Sequence, residues 1–219
     1  MFENIIKNVH NRHPLIHCIT NYVSINDCAN IVLACGGAPI MAEDINEVSQ
    51  ITSICQGLDI NIGMLNDNKL SSMLKAGATA NELGIPVILD PVGAGSSDYR
   101  IKAVQNLMSN VQFGVIRGNV SEIKAIAAKQ GIHNIAAGVY ETMQKNKSAM
   151  GVEAGIADKI TDDNIKEMAD FINKLSQKTG AVIAVTGGID MVADEIAYNQ
   201  HSGIGFTHCR TGDDGDQQR

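Results

Sequence analysis

The sequence contains no tryptophan, and its 219 residues include only four phenylalanines and four tyrosines. A core built from this composition must be mainly aliphatic. It also argues against a platform for single-stranded nucleic acid, because such platforms stack bases on aromatic side chains. No apolar run approaches the roughly 18 residues that span a membrane, and no secretory leader opens the chain. These shortages predict a cytoplasmic protein with no membrane partner.

Basic residues are also in short supply. Lysine and arginine total 17 against 24 aspartates and glutamates, which gives a net charge of -7 and an isoelectric point of about 5.3. This balance argues against nucleic acid or an anionic membrane as the main partner. A small anionic substrate remains possible, because a local pocket can oppose the global charge.

The five cysteines form no CxxC pair and no cluster with histidine at zinc-binding spacing. They are Cys18, Cys28, Cys35, Cys55 and Cys209. In a chain without a leader, this distribution predicts reduced, mostly buried thiols.

Short apolar runs alternate with longer segments of helical spacing. Strands are predicted at residues 15–20, 58–62, 86–90, 113–116 and 181–186, and residues 38–41 form a further short apolar run. Strands without polar alternation, separated by helices, are typical of a mainly parallel sheet covered by helices on both faces. We therefore expect an α/β fold with one domain over residues 1–208, followed by an atypical tail at residues 209–219.

Ligands of an open parallel sheet bind at the carboxyl ends of its strands. Asp90 ends one predicted strand, and Glu122 follows another, so both carboxylates are candidate Mg²⁺ ligands. The spacing of Asn119 and Glu122 is equally that of a capping box that opens a helix. The two interpretations are compatible, because a helix N-terminus also attracts phosphate.

Other residues at predicted strand ends allow two interpretations each. Arg117 could bind a nucleotide phosphate or be a surface arginine. Thr186 and the two glycines behind it could offer backbone N–H groups to a phosphate, or form a tight turn into a hairpin. Met41 could line a pocket or fill an irregular core. His17 lies in an apolar strand and is expected to be a hydrogen-bonded core residue rather than a base.

Together these segments resemble the hydroxyethylthiazole kinase family, which has the ribokinase-like fold. The resemblance covers nearly everything up to about residue 200, and the combination of its motifs is highly specific. The segments that carry it are HCITNYVSINDCAN (17–30), GGAPIMAED (36–44), LDINIGML (58–65), PVILDPVGAGSS (86–97), VIRGNVSEI (115–123) and AVTGGIDMVAD (184–194).

The resemblance implies that ATP phosphorylates the alcohol of 4-methyl-5-(2-hydroxyethyl)thiazole in thiamine biosynthesis and salvage. It implies that Asn21, Val23 and Met41 line the thiazole site. It further implies that Arg117, Thr186 and Asn119 contact ATP, and that Asp90 and Glu122 organise Mg²⁺. Members of the family are homotrimers with thiazole sites between subunits, so a homotrimer is expected.

The tail departs from the family pattern. Family members continue to a Gly-rich Thr-Gly-x-Gly-Cys motif that opens a long helix and supplies the anion hole. Here Cys209 precedes the glycine, so the family's cysteine role is not transferred to it and the catalytic proton acceptor stays unassigned. We expect the C-terminal helices to be lacking, through a reading-frame accident or a true truncation. Two alternatives follow: an impaired homologue that binds ATP or thiazole, and a kinase for a pyridoxal- or pyrimidine-type alcohol.

Overall fold

A computed structural model describes residues 2–132, 160–161, 163–194 and 209–210. The chain divides into two compact units, Met1–Ile116 and Arg117–Arg219. Each unit is described by itself. The expectation of one domain over residues 1–208 stays a prediction.

Parallel strands form the centre of the first unit. They lie in the order β2-β1-β3-β4-β5, and each neighbouring pair is parallel. The strands are β1 (Leu15–Ile19), β2 (Ala38–Met41), β3 (Gly57–Asn61), β4 (Val87–Asp90) and β5 (Val115–Asn119), the last of which continues into the second unit. The expected α/β class with a mainly parallel sheet is confirmed.

Five helices accompany these strands. They are α1 (Phe2–Arg12), α2 (Ile25–Ala34), α3 (Val48–Ser53), α4 (Asp67–Glu82) and α5 (Asp98–Asn110). Helix α4 packs on β3 and β4 and also contacts α3 and α5. Its middle turn contains Gly77, where a Cβ atom would stand 2.5 Å from the Val111 side chain. The glycine therefore lowers helix propensity but lets Val111 approach the helix axis.

The second unit contains the end of β5 and a hairpin. Its elements are α6 (Val120–Lys129), α7 (Ile165–Thr179), β6 (Val182–Thr186), β7 (Ile189–Ala193) and the two-residue β8 (Cys209–Arg210). Strands β6 and β7 are antiparallel, as are β7 and β8. Helix α7 packs on both hairpin strands and ends at Gly180, whose φ of 67° is left-handed.

The fifth strand differs from its sequence prediction. Residues 113–116 were expected to form it, whereas β5 occupies Val115–Asn119. Phe113 is buried just before the strand begins, so its apolar character reflects burial rather than strand pairing. The strand continues through the polar residues Arg117 and Asn119, which the apolar pattern of the sequence does not predict.

Some expectations fall partly or wholly on residues that are not described. The alternating pattern of residues 189–193 also predicts a hairpin with Ile196 and Tyr198, and those two residues lie outside the described ones. Of the predicted tail, only 209–210 belong to the described residues, and 211–219 lie outside them. Among the helices of the described segments, none is both long and apolar enough to cross a bilayer.

Candidate active site

The carboxyl end of β1 leads into a loop that contains two of the predicted thiazole residues. The side-chain oxygen of Asn21 accepts hydrogen bonds from the Ser24 backbone N–H at 2.9 Å and from the Ser24 hydroxyl at 3.0 Å. Its amide nitrogen lies 3.5 Å from Oδ1 of Asn61, at the end of β3. Gly63 permits this approach, since a Cβ there would lie 2.9 Å from both asparagine side chains. Asn21 is therefore oriented by the loop itself and by the neighbouring strand end.

Val23 and Met41 lie in the same region of the first unit. Val23 is 88% exposed on the loop that carries Asn21. Met41 is the last residue of β2 and pairs in register with Cys18 of β1. The strand pairing therefore brings Met41 to the same end of the sheet as the loop of Asn21.

A second group of polar side chains ties this loop to its neighbours. Lys69, in the first turn of α4, is only 4% exposed and lies 3.0 Å from the Glu43 carboxylate. Its ammonium also donates to the Thr20 carbonyl and stands 5.0 Å from the centre of the Tyr22 ring. The Tyr22 hydroxyl donates to the other Glu43 oxygen. We name Tyr22, Glu43 and Lys69 the lysine clasp.

Contacts within the clasp shift the pKa values of Glu43 and Tyr22. Desolvation acts to raise the pKa of Glu43, but the hydrogen bonds from Tyr22 and Lys69 and the lysine charge outweigh it and lower that pKa. The bond to Glu43 raises the pKa of Tyr22. Glu43 is thus an ionised acceptor with both oxygens engaged.

His17 lies in the middle of β1 and is fully buried. Its Nε2 is 2.9 Å from the Ala42 carbonyl, which can only accept, so the ring proton is assigned to Nε2. The Thr52 hydroxyl lies 2.9 Å from Nδ1. Burial lowers the pKa of His17, despite the opposing Ala42 bond and the charge of Glu47. The expectation of a hydrogen-bonded core histidine is confirmed.

Asp90 ends β4 and is half-buried. It pairs in register with Asn61, and its backbone carbonyl accepts from the Ile62 N–H at 3.2 Å. The carboxylate therefore belongs to the strand end that leads into the Gly-rich loop.

That loop is held by Arg100 of α5. The guanidinium donates to the Val92 carbonyl at 2.6 Å and to the Gly63 carbonyl. Gly93 has a left-handed φ of 64°, and a Cβ there would lie 2.7 Å from Nη1 of Arg100. Arg100 thereby joins the loops after β3 and β4, and Gly93 makes room for it.

In the second unit, Asn119 and Glu122 form a capping box. The Asn119 side chain accepts from the Glu122 N–H at 2.9 Å, and Oε2 of Glu122 accepts from the Asn119 N–H at 2.8 Å. Glu122 is 7% exposed, and Gly118 gives its carboxylate space. The capping interpretation is confirmed, and it orients the carboxylate that is expected to serve Mg²⁺.

The predicted ATP residues Arg117 and Thr186 belong to the same unit as this box. Arg117 lies near the end of β5 with an exposed side chain. The Thr186 hydroxyl, at the end of β6, donates to the Gly118 carbonyl at 3.5 Å. The ends of β5 and β6 therefore lie side by side. Arg117 and Asn119 belong to β5, Thr186 ends β6, and Glu122 lies in the helix that follows β5.

The turn after Thr186 follows the second of its two interpretations. The Gly187 N–H donates to the Asp190 carboxylate at 2.9 Å, and Gly188 leads directly into β7. One N–H group expected for phosphate is thus already used within the hairpin.

The donor chemistry of the two carboxylates fits Mg²⁺, which prefers hard oxygen ligands and often takes only one or two from protein. Among the described residues, no three of His, Cys, Asp and Glu cluster as a metal cage. Because Mg²⁺ can take a single carboxylate from protein, Asp90 in the first unit and Glu122 in the second each qualify as a donor without such a cage. Asp90 and Glu122 remain the candidate ligands.

Sequence reasoning missed the lysine clasp and Arg100. Lys69 lies in the first turn of a helix, where a lysine ordinarily points to solvent, and its partners are up to 49 residues away along the chain. Arg100 contacts a carbonyl 37 residues away. No local spacing signals such pairs.

Comparison with known proteins identifies one family. The sequence profile of the hydroxyethylthiazole kinase family matches residues 6–205. A protein named hydroxyethylthiazole kinase from Clostridium acetobutylicum is 52% identical over 195 residues, covering 89% of this chain. One of the same name from Methanobrevibacter smithii is 44% identical over 190 residues, covering 87% of this chain.

A solved structure supports the same fold. The hydroxyethylthiazole kinase protein from Pyrococcus horikoshii OT3 aligns with a TM-score of 0.70 at 31% identity, covering 87% of this chain and 62% of that one. The present chain spans 66% of the C. acetobutylicum protein and 63% of the M. smithii protein. It therefore matches slightly under two thirds of these relatives' length.

Proposed function

Because this chain belongs to the hydroxyethylthiazole kinase family, we propose that it transfers the γ-phosphoryl group of ATP to the hydroxyl of 4-methyl-5-(2-hydroxyethyl)thiazole. The observation that carries the proposal is the position of the motif residues. Asn21, Met41, Asp90 and Asn119 each lie at or just beyond the carboxyl end of a parallel strand, which is where such sheets bind ligands, and Arg117 lies two residues before the end of β5.

The nucleotide would be bound chiefly by the second unit. Arg117 offers an exposed guanidinium with the geometry to bind phosphate oxygens in pairs. Asn119 opens helix α6, whose N-terminus favours negative charge, and Thr186 lies beside it. These residues would orient ATP by charge and hydrogen bonding, which is most of what phosphoryl transfer asks of a protein.

Asp90 in the first unit and Glu122 in the second would each offer a carboxylate to Mg²⁺. When bound, the ion neutralises charge on the phosphate oxygens. The capping box fixes the side-chain conformation of Glu122, so little reorganisation is needed to present its carboxylate.

The thiazole alcohol would bind at Asn21, Val23 and Met41. Asn21 can hydrogen-bond a polar group of the substrate, and the two apolar side chains can cover the ring. The names of the reported relatives favour this alcohol over one of pyridoxal or pyrimidine type.

The exposed apolar surface of the first unit supports a homotrimer. Helix α2 has no buried residue and exposes Ile31 at 61% and Leu33 at 56%. Strand β2 lies at the edge of the sheet and is only half-buried. We propose that other copies of the chain cover this surface. Sedimentation should give a trimer for the wild type and a smaller species for Leu33→Lys, while trimeric Leu33→Lys would contradict the assignment.

The acidic composition and the small-molecule chemistry of this reaction support a cytoplasmic enzyme whose ligands are the thiazole alcohol and Mg·ATP, with no role for nucleic acid or membrane.

A substrate panel tests the function. Purified protein with Mg·ATP would be offered the thiazole alcohol, pyridoxal and a hydroxymethylpyrimidine, with products identified by mass spectrometry. We expect kcat/KM to be at least about 100-fold higher for the thiazole alcohol, because the other rings cannot fit the same apolar and polar contacts. Preferential phosphorylation of pyridoxal or the pyrimidine, or of none of the three, would refute the proposal.

A further inference from the structure

Lys69 occupies a position where a lysine is intrinsically unfavourable. It lies in the first turn of α4, where Asn66 accepts from its backbone N–H at 2.8 Å, so its charge stands near the positive end of the helix dipole. It is also 4% exposed, which removes most of its hydration. A positive charge at such a place requires strong compensation from its neighbours.

The compensation comes from two loops rather than from α4 itself. Thr20 and Tyr22 follow strand β1, and Glu43 follows strand β2. The ammonium thus connects three separate elements at the carboxyl edge of the first unit. If the side chain were shortened, the Glu43 carboxylate and the Thr20 carbonyl would lose a charged donor.

These contacts flank the three proposed thiazole residues. Asn21 lies between Thr20 and Tyr22 in sequence, Val23 follows Tyr22, and Met41 precedes Glu43 by two positions. The loop that holds Asn21 is fixed on its other side by the bonds to Ser24. The lysine clasp is therefore placed to set the conformation of the whole segment.

We propose that Lys69, acting through Glu43 and Tyr22, is a positioning residue that sets the shape of the acceptor-alcohol site. The inference rests on the proposed function, because it assigns Asn21, Val23 and Met41 to the thiazole alcohol. Lys69 does not touch the reacting atoms. Its removal should weaken binding of the alcohol without altering the binding of ATP.

Lys75 provides a matched control. It lies on the same helix and also donates to a loop carbonyl after β2, that of Ile45, at 2.8 Å. Unlike Lys69, it is exposed, and its bond reaches the loop after β2 rather than Thr20 or Glu43. Lys75→Met therefore removes a similar lysine-to-carbonyl bond while leaving the clasp intact.

The test measures steady-state kinetics and calorimetric binding of the thiazole alcohol for wild type, Lys69→Met and Lys75→Met. We expect Lys69→Met to raise KM and Kd for the alcohol about tenfold, with kcat and the KM for Mg·ATP within about twofold. Lys75→Met should match wild type in all four quantities. Lys69→Arg, which keeps a charged donor, should recover at least part of the loss.

Glu43→Gln keeps the inference testable if Lys69→Met folds poorly, because Glu43 is 40% exposed. It should raise the alcohol KM about threefold, and the Lys69→Met/Glu43→Gln pair should be no worse than Lys69→Met alone. Equal alcohol KM values in Glu43→Gln, Lys69→Met and Lys75→Met would overturn the inference about Lys69 and leave the proposed function standing. A wild type that neither binds nor phosphorylates the alcohol would instead overturn the proposed function, and the inference with it.

Discussion

The strand ends of the two units are built by different kinds of contact. In the first unit, side chains bridge loops that are far apart in sequence, as Lys69 does to Thr20 and Arg100 does to Gly63. In the second, Asn119 and Glu122 bond across only three residues, although the Thr186 hydroxyl also reaches the Gly118 carbonyl from 68 residues away. Long-range ties fix the relative position of loops, whereas a local cap fixes one side chain on its helix.

The comparison predicts which substitutions disturb chemistry and which disturb stability.

Asp90→Asn should lower kcat/KM by about 100-fold or more, equivalent to about 2.7 kcal/mol, because it removes one charge from the proposed Mg²⁺ ligands. Glu82→Gln, at the exposed C-terminal end of α4, is the control and should stay within about twofold. Activity and its Mg²⁺ dependence would be measured together. Asp90→Asn with activity within tenfold of wild type would remove Asp90 from the metal site.

His17→Leu should lower the free energy of unfolding by about 2 kcal/mol, because it leaves the buried Ala42 carbonyl without the histidine donor, while the Thr52 hydroxyl keeps its 2.8 Å bond to the Val48 carbonyl. The variant tests the bonds from His17 to Ala42 and Thr52, which are the most deeply buried of the long-range contacts named here. Chemical denaturation at pH 8 would provide the measurement.

The same variant tests the histidine pKa. Burial lowers the pKa of His17 in the folded state, so below about pH 6.5 the unfolded chain takes up a proton that the folded chain does not. Wild-type stability should therefore fall as the pH drops through this window, and the difference between wild type and His17→Leu should shrink. A difference that is constant from pH 8 to pH 5 would contradict the assignment.

Arg100→Met should lower the free energy of unfolding by about 2 kcal/mol, because two hydrogen bonds from the charged guanidinium to loop carbonyls are lost. Methionine keeps most of the volume of the arginine's aliphatic stem. Hydrogen exchange should show faster exchange in the loops after β3 and β4. Unchanged exchange in both loops would show that Arg100 does not hold them together.

Glu122→Ala should lower the free energy of unfolding by about 1 kcal/mol, because the helix cap is lost. Glu122→Gln should lower it clearly less, because its amide oxygen can still accept from the Asn119 N–H. Glu47→Ala is the matched control. Asp44 and Glu47 have the same spacing, but the Asp44 side chain accepts from Asn46 and no side-chain cap forms at α3. If Glu47→Ala lowered the Tm as much as Glu122→Ala, the conclusion that only Asn119 and Glu122 form a stabilising cap would be wrong.

Sequence patterns predicted the parts of the molecule that depend on neighbouring residues. The apolar runs located the parallel strands, and the spacing of Asn119 and Glu122 predicted a cap that forms. The same spacing at Asp44 and Glu47 shows the limit of such patterns, because a side chain can bond a closer N–H instead. Likewise β5 extends through polar residues that carry no strand signal.

The rest could not be predicted because it depends on tertiary proximity. The charge of Lys69 is buried only because β1, β2 and α4 converge, and no local pattern encodes that convergence. The assignment of Asn21, Val23 and Met41 to substrate came from resemblance to a family, not from spacing, and it stays a prediction for this chain.

The proposed reaction transfers the γ-phosphoryl group of ATP to the thiazole alcohol. Phosphorus NMR of the purified chain with Mg·ATP and the alcohol measures this directly, since ADP, inorganic phosphate and a phosphate monoester give separate signals. For a thiazole kinase, we expect ADP and the monoester to rise together in equal amounts, and both to require the alcohol. ADP accompanied by inorganic phosphate alone, or no consumption of ATP, would contradict it.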